Sequence, residues 1–159
     1  MAVRWNSFRA HRDSVLDSVR TTVAAVIAML LARLLNMPEY YWAPISTIVI
    51  LQSTIPPRTL GWQRFVGTAL GAVLGAALAT YFRPSVVVYG VGVLLCGLLT
   101  WSLGINGAYR FAAITLSIIL LIPRGRPWIA SWHRFLEVSL GIAVALAVTM
   151  AWPLTKKTA

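Results

Sequence analysis

The chain has 159 residues, of which 58% are hydrophobic and only 11% are charged. With a mean hydropathy of +0.76, it carries too few charged residues to cover a soluble surface, where about a quarter of the residues are normally charged. This composition excludes a soluble enzyme, a disordered tail and a secreted disulfide scaffold. The single Cys96 permits neither an internal disulfide nor a cysteine metal cluster.

The net charge of +10 would also suit a nucleic-acid-binding protein, but such a protein gathers Lys and Arg on one solvated face. Here the basic residues stand in short gaps between long apolar runs, which is typical of membrane helix ends that meet lipid phosphates. We therefore expect membrane lipids, and no nucleic acid, among the partners.

The first 20 residues hold six of the chain's eighteen charged residues. Apolar residues recur there at roughly helical spacing with arginines between them, namely Trp5, Phe8, Leu16 and Val19. This pattern indicates an interfacial helix. A cleaved signal peptide is the alternative, but this charged region is long, contains two aspartates and precedes no clean cleavage site. We predict a basic interfacial segment at residues 1–20, a transmembrane domain at 21–153 and a short basic tail at 154–159.

Six apolar runs follow, each ended by proline, glycine or basic residues. They cover residues 21–35, 41–55, 62–82, 85–103, 108–122 and 132–152. Because a membrane-spanning helix needs about 20 mostly apolar residues, we predict an all-α membrane protein with six transmembrane helices. Placing both termini in the cytoplasm puts nine basic residues on that side and five on the other, which favours this orientation.

The two halves of the sequence align without a gap when one is displaced by 70 residues. The matched pairs include Tyr41 with Phe111, Pro57 with Pro127, Trp62 with Trp132, Arg64 with Arg134, Phe65 with Phe135, and Gly71 with Gly141. Each unit holds three predicted helices, so the second unit enters the membrane inverted relative to the first. We predict two inverted three-helix repeats, an arrangement characteristic of secondary transporters. Chance similarity among apolar, glycine-rich helices is the alternative.

The second and fifth runs are corresponding members of the two units, and both are short and bounded by proline. Such a matched pair is a sequence indicator of a transport site. Ser46 and Gln52 in the second run and Thr115 in the fifth are polar. These groups either bond to neighbouring helices or face water and a substrate, and both interpretations stay open.

Arg64 and Arg134 occupy equivalent places, and we expect each at the start of its long helix, on opposite sides of the membrane. A guanidinium there either snorkels to lipid phosphate or holds a substrate carboxylate through its planar fork. Glu137 is the one acidic residue within or beside a predicted helix core. It is therefore the candidate for proton coupling, with a channel-like path as the alternative.

Gly67, Gly71 and Gly75 recur at four-residue spacing and share one helix face. Such a face permits close approach of another helix. The partner is either a helix of the same bundle or a second subunit.

Several motifs resemble the membrane block of the fusaric acid resistance and aromatic acid exporter family. They are Tyr41-Trp42-Ala43-Pro44, Gln52, Pro57-Arg58 and the segment 64–75, which reads RFVGTALGAVLG. This group of integral membrane bound transporters includes plant aluminium-activated malate channels. The resemblance implies efflux or passage of organic anions, often aromatic carboxylates, across a bacterial inner membrane. It also implies a six-helix block that assembles into oligomers, with a dimer expected.

Family members commonly add a soluble cytoplasmic domain or a second membrane block, neither of which this sequence shows. We expect either a minimal homo-oligomer or a chain that needs a separately encoded soluble partner. Candidate residues of the substrate path are Tyr41, Trp42, Ser46, Gln52, Arg64, Thr115, Arg134 and Glu137.

No catalytic motif, phosphate loop or metal-ligand cluster is visible, so we expect no enzyme, cofactor or metal. The leading hypothesis is a transport protein for organic anions. The alternative is a non-transporting accessory or scaffold subunit of a membrane complex.

Overall fold

The computed structural model describes the backbone of residues 2–122 and 125–153, and the side chains of these residues from position 14 onward. Within these ranges the chain forms six α-helices, one 3-10 turn and no strand. The helices are α1 (Ala2–Leu34), α2 (Trp42–Leu51), α3 (Pro57–Tyr81), α4 (Val86–Ser102), α5 (Tyr109–Leu121) and α6 (Pro127–Ala151). The basic tail predicted at residues 154–159 lies outside the described residues.

Helix α1 runs without a break across residue 20, where the sequence predicts a boundary between an interfacial segment and the first span. It ends at Leu34, and Asn36, two residues later, has a φ of 51°. The Met37 N–H donates to the Ala32 carbonyl at 3.0 Å and the Asn36 N–H to the Arg33 carbonyl at 2.9 Å. These two bonds form a Schellman motif, which satisfies carbonyls at the end of the helix.

Both long helices begin at a proline, Pro57 in α3 and Pro127 in α6. Proline suits the first helical turn because its φ is already helical and its missing N–H is not needed there. The helices therefore begin five residues before the predicted runs, which start at Trp62 and Trp132. As a result, Arg64 and Arg134 lie about two turns inside their helices rather than at the helix starts.

Three helices are long and apolar enough to cross a membrane. They are Ser14–Leu34 in α1, Pro57–Tyr81 in α3 and Pro127–Ala151 in α6. The other three helices are apolar but shorter. The 10 residues of α2 extend about 15 Å, against a hydrocarbon core of about 30 Å. The chain is thus an all-helical membrane protein in which three of the six predicted spans have full length.

The bundle is built around the antiparallel pair of α3 and α6. Their equivalent phenylalanines, Phe65 and Phe135, meet with ring centroids 5.0 Å apart. Each long helix also holds a short helix from the other half, since α5 packs along α3 and α2 packs along α6. Outside these, α1 covers α2 and α6, while α4 covers α5 and α3.

The glycine stripe of α3 faces α5 within the same chain. A Cβ added at Gly67 would overlap the Ala108 carbonyl oxygen, and one at Gly71 would overlap the Ala112 carbonyl oxygen. A Cβ added at Gly75 would lie 3.1 Å from the Cβ of Ile119. The backbone of α5 therefore already occupies this face, so the alternative that the stripe forms a subunit contact is wrong.

The same approach recurs at Gly141 of α6, where an added Cβ would overlap the Ala43 carbonyl oxygen in α2. The Thr47 hydroxyl donates across this contact to the Gly141 carbonyl at 2.9 Å. Each short helix thus lies against a glycine of a long helix from the other half, which fixes the spacing of the side chains between them.

Candidate functional site

A small cavity of about 20 Å³ lies where the two short helices meet the two long ones. Its lining includes Trp42, Arg64, Thr68, Phe111, Thr115 and Arg134. This volume holds about one water molecule. The cavity therefore collects four of the eight predicted path residues around a space much smaller than a benzoic acid molecule.

Arg64 reaches this cavity from α3 and is 8% exposed. Its Nη2 donates to the Ser46 hydroxyl at 3.1 Å, and its guanidinium carbon lies 5.0 Å from the centre of the Phe111 ring. Its Nε has no hydrogen-bond partner. Among the described residues, no carboxylate forms an ion pair with Arg64.

Arg134 reaches the same cavity from α6 and is 3% exposed. Its guanidinium carbon lies 3.5 Å from the centre of the Trp42 ring, and its Nη1 lies 4.0 Å from the Glu39 carboxylate. The Trp42 Nε1–H donates to the same carboxylate at 2.8 Å. Arg134 thus has a cation–π contact and an anionic partner on one side of the cavity.

Glu137 follows Arg134 by one helical turn and is fully buried. Its Oε1 accepts the backbone N–H of Glu39 at 2.7 Å. Two contacts therefore join the segment before α2 to α6. The Glu137 carboxylate binds the backbone of this segment, and the Glu39 carboxylate pairs with Arg134. In the first half, Gly67 occupies the position equivalent to Glu137.

The two arginines line one cavity rather than lying on opposite sides of the membrane. Their depth excludes simple snorkelling to lipid phosphate from the start of each helix. The proline-initiated start of α3 and α6 is the reason, because it begins each helix five residues, or about one and a half turns, earlier than the sequence predicts.

The contacts also correct the alignment of the short helices by one residue. Arg64 faces Phe111 and Arg134 faces Trp42, so Trp42 is the structural counterpart of Phe111. The gapless alignment, which matches Tyr41 with Phe111, is therefore wrong by one residue in the short helices. The connection from the short helix to the long one is consequently one residue longer in the second half.

The other predicted path residues take different positions. Ser46 donates to the Trp42 carbonyl at 2.8 Å while it accepts from Arg64, so it borders the cavity through that bond. Tyr41 packs beside the Trp42 ring, with centroids 5.5 Å apart. Gln52 lies at the far end of α2 and donates to the Thr21 hydroxyl at 2.7 Å, which ties α2 to α1.

Sequence reasoning missed Glu39, Thr68 and Phe111 as neighbours of the arginines. Glu39 lies in the short polar segment that ends the first apolar run, and nothing in that segment indicates that Glu39 pairs with Arg134. Phe111 and Thr68 did appear in the repeat alignment and the family motif. Thr68 lies one turn after Arg64 on the same face of α3, whereas the closeness of Phe111 to Arg64 follows only from the packing of α5 on α3.

A larger surface cavity of about 390 Å³ opens beside Glu39. Its lining includes Pro38, Arg126, Ala130 and His133. Because the Glu39 carboxylate contacts both Trp42 and Arg134, these three residues separate the surface cavity from the small inner one.

Comparison with known families and proteins gives consistent results. A family model described as fusaric acid resistance protein-like matches residues 27–148. The chain is 30% identical over 151 residues to inner membrane protein YeeA of Escherichia coli K12, covering 87% of this chain and 41% of that protein. It is 28% identical over 163 residues to the uncharacterized transporter YdhK of Salmonella typhimurium LT2, covering 93% and 24%. The Escherichia coli K12 protein of that name is 29% identical over 161 residues, with 92% and 24% covered.

The chain thus spans less than half the length of these curated relatives. No solved structure matches it significantly.

Proposed function

Because the chain belongs to the fusaric acid resistance protein-like family, we propose that it is a membrane transport protein that exports or passes organic anions, aromatic carboxylates in particular. A transport role agrees with the relatives that carry the name transporter. The anion class is supported by the cavity between the short and long helices.

The observation that carries the proposal is the uncompensated charge of Arg64. A buried charge without a partner is costly, and in the part of the chain that the structure describes, the Ser46 hydroxyl is the one polar side chain bonded to this guanidinium. A carboxylate is the anion whose two oxygens match the planar fork of arginine. Binding of a substrate carboxylate at Arg64 supplies the missing negative charge.

Aromatic substrates suit the same place because Phe111 and Trp42 both line the cavity. An aromatic ring bound beside them gains offset or edge contacts in addition to the burial of its apolar surface. At about 20 Å³, however, the cavity admits no such ring. Transport therefore requires the pair α2–α6 and the pair α3–α5 to move apart.

The proposed mechanism uses two inverted three-helix repeats, with six membrane helices and both termini in the cytoplasm. Three observations support it: the bounds of α3 and α6 differ by the repeat interval, these helices run antiparallel, and each short helix packs on the long helix of the other half. Opening one side and then the other follows from such symmetry. A bacterial inner membrane location and a homodimer complete the proposal, the location supported by the name of the YeeA relative.

The test is flux of a radiolabelled aromatic carboxylate such as benzoate into vesicles that contain the purified protein. We expect Arg64→Lys, which keeps the charge but loses the fork, to reduce transport efficiency by about ten- to a hundredfold, since a hydrogen bond to a charged group contributes about 1.5–3 kcal/mol. The matched control is Arg33→Lys, because Arg33 is an exposed arginine that contacts Tyr40.

Equal flux through the wild type and Arg64→Lys would remove Arg64 from the substrate path. No flux through folded wild-type protein under any gradient would favour the alternative function, an accessory or scaffold subunit.

A further inference from the structure

A third cavity, a pocket of about 220 Å³, lies on the face of α3 and α6 turned away from the arginines. It is lined by Ala69, Ala72 and Val73 of α3 and by Trp128, Ser131 and Trp132 of α6. None of these described lining residues carries a charge, so the pocket does not suit the carboxylate of a transported anion. Its lining is suited to an apolar chain.

The pocket exists because the two halves differ in side-chain volume at equivalent positions. At the other end of the α3–α6 contact, Ile142 and Leu146 of α6 press on Gly61 of α3, where an added Cβ would lie 3.2 Å from the Ile142 Cγ2. The residue equivalent to Ile142 is Ala72, and the residue equivalent to Gly61 is Ser131. The methyl group of alanine leaves open the space that isoleucine fills at the other end.

Ser131 provides a polar group at this pocket. The residue is 4% exposed, and its hydroxyl has no hydrogen-bond partner. A buried hydroxyl without a partner costs free energy, and serine in a helix would ordinarily donate to a backbone carbonyl one turn earlier. An acceptor atom on a molecule bound in the pocket would satisfy it.

The position of the pocket identifies that molecule. It lies between two helices long and apolar enough to span a membrane, beside two exposed tryptophans near the start of α6, Trp128 and Trp132. Exposed tryptophans mark the headgroup level of a bilayer. The exposed Arg126 precedes Trp128 by two residues, where it can pair with a lipid phosphate, and Ser131 lies about 7 Å further along the helix axis.

We propose that this pocket binds one acyl chain of a phospholipid. The phosphate lies near Arg126, the ester carbonyl accepts a hydrogen bond from the Ser131 hydroxyl, and the chain passes between the two tryptophans onto Ala69 and Ala72. Because the equivalent space at the other end of the α3–α6 contact is filled by Ile142, each protein chain holds a single lipid of this kind.

The test counts palmitoyl-oleoyl phosphatidylglycerol molecules retained by the purified protein in detergent, using native mass spectrometry during a lipid titration. We expect one tightly held lipid per wild-type chain. Ala72→Ile, which copies the filled end of the α3–α6 contact, should weaken its binding at least tenfold. The matched control Ala77→Ile adds the same volume at a half-exposed position of α3 outside the pocket and should leave binding unchanged.

A milder variant tests the hydroxyl without changing the pocket's shape. Ser131→Ala should weaken binding of the ester lipid by about two- to tenfold, the range expected for one hydrogen bond. It should leave binding of a diether phosphatidylglycerol unchanged, because that lipid has no ester carbonyl.

Retention of the lipid by Ala72→Ile would overturn the proposal, as would equal effects of Ser131→Ala on both lipids. A change of oligomer size in Ala72→Ile with the same lipid count would instead assign the pocket to a contact between two copies.

Discussion

The two halves of the bundle place equivalent arginines in one cavity, but the two arginines differ in the groups that surround their charges. Arg134 lies against Trp42 and is paired with Glu39, with the buried Glu137 one turn away. Arg64 lies against Phe111, and among the described residues its polar side-chain partner is the Ser46 hydroxyl. The two halves thus place their arginines by the same packing, while a few differences in sequence give Arg134 an anionic partner and give Arg64 none among the described residues.

Removing each arginine in turn gives the largest expected difference between the halves. Arg134→Met leaves the carboxylate of Glu39 without its cation, and should lower the free energy of unfolding by about 3–5 kcal/mol. Arg64→Met removes a buried charge that has no anionic partner among the described residues. It should leave stability unchanged or higher while it abolishes benzoate flux.

The measurement is thermal unfolding of both variants in the same detergent, followed by flux in vesicles. If both substitutions lowered the unfolding temperature equally, the idea that Arg134 has an anionic partner and Arg64 does not would be contradicted.

The shared packing frame can be tested at Gly71 and Gly141, whose substitution should have similar effects in both halves. An alanine at either position brings its Cβ onto a backbone carbonyl of the short helix. We expect each substitution to cost about 3 kcal/mol, at the upper end of ordinary overpacking.

Gly90→Ala is the control, since a Cβ there meets nothing within 4 Å and alanine favours the helix by about 1 kcal/mol. Thermal unfolding distinguishes the cases. If Gly71→Ala lowered stability and Gly141→Ala did not, the two halves would not share the same close packing of short helix on long helix.

A smaller effect should follow from making the surroundings of Arg134 resemble those of Arg64. Trp42→Phe places at α2 the residue that Phe111 supplies at α5, and it removes the Nε1–H that donates to Glu39. The loss should be about 1.5–3 kcal/mol, the usual contribution of a hydrogen bond to a charged group.

Trp101→Phe, at a side chain that is 72% exposed, should have almost no effect in the same unfolding experiment. If Trp42→Phe is equally neutral, the bond to Glu39 does not hold the segment before α2.

The sequence predicts much of the helix packing because the features that determine it can be read from short stretches of sequence. The prolines, the glycine spacing and the recurrence of Trp-x-Arg-Phe are all visible in the sequence, and the structure uses each of them. The helix content and the closeness of α3 to a neighbouring helix were therefore predictable. The family resemblance, carried by Tyr41-Trp42-Ala43-Pro44 and the segment 64–75, is confirmed by the family match.

The site was less predictable because its chemistry depends on long-range contacts. The depth of Arg64 depends on where α3 begins. The predicted apolar run starts at Trp62 and so leaves out the first turn of the helix, which begins at Pro57. Glu39 pairs with Arg134, 95 positions away, and no local pattern marks that pairing. Gln52 looks like a path residue on the basis of polarity alone, but its amide bonds to α1.

The close approach of α3 and α5 at Gly67 has a consequence for how this protein can evolve. Glu137 has no acidic counterpart at Gly67, and any side chain there would overlap the backbone at Ala108 and the Phe111 Cβ. A substitution of glutamate for Gly67 is therefore excluded by volume, whatever the effect of its charge would be. This difference between the two halves persists for as long as α3 and α5 keep their close spacing.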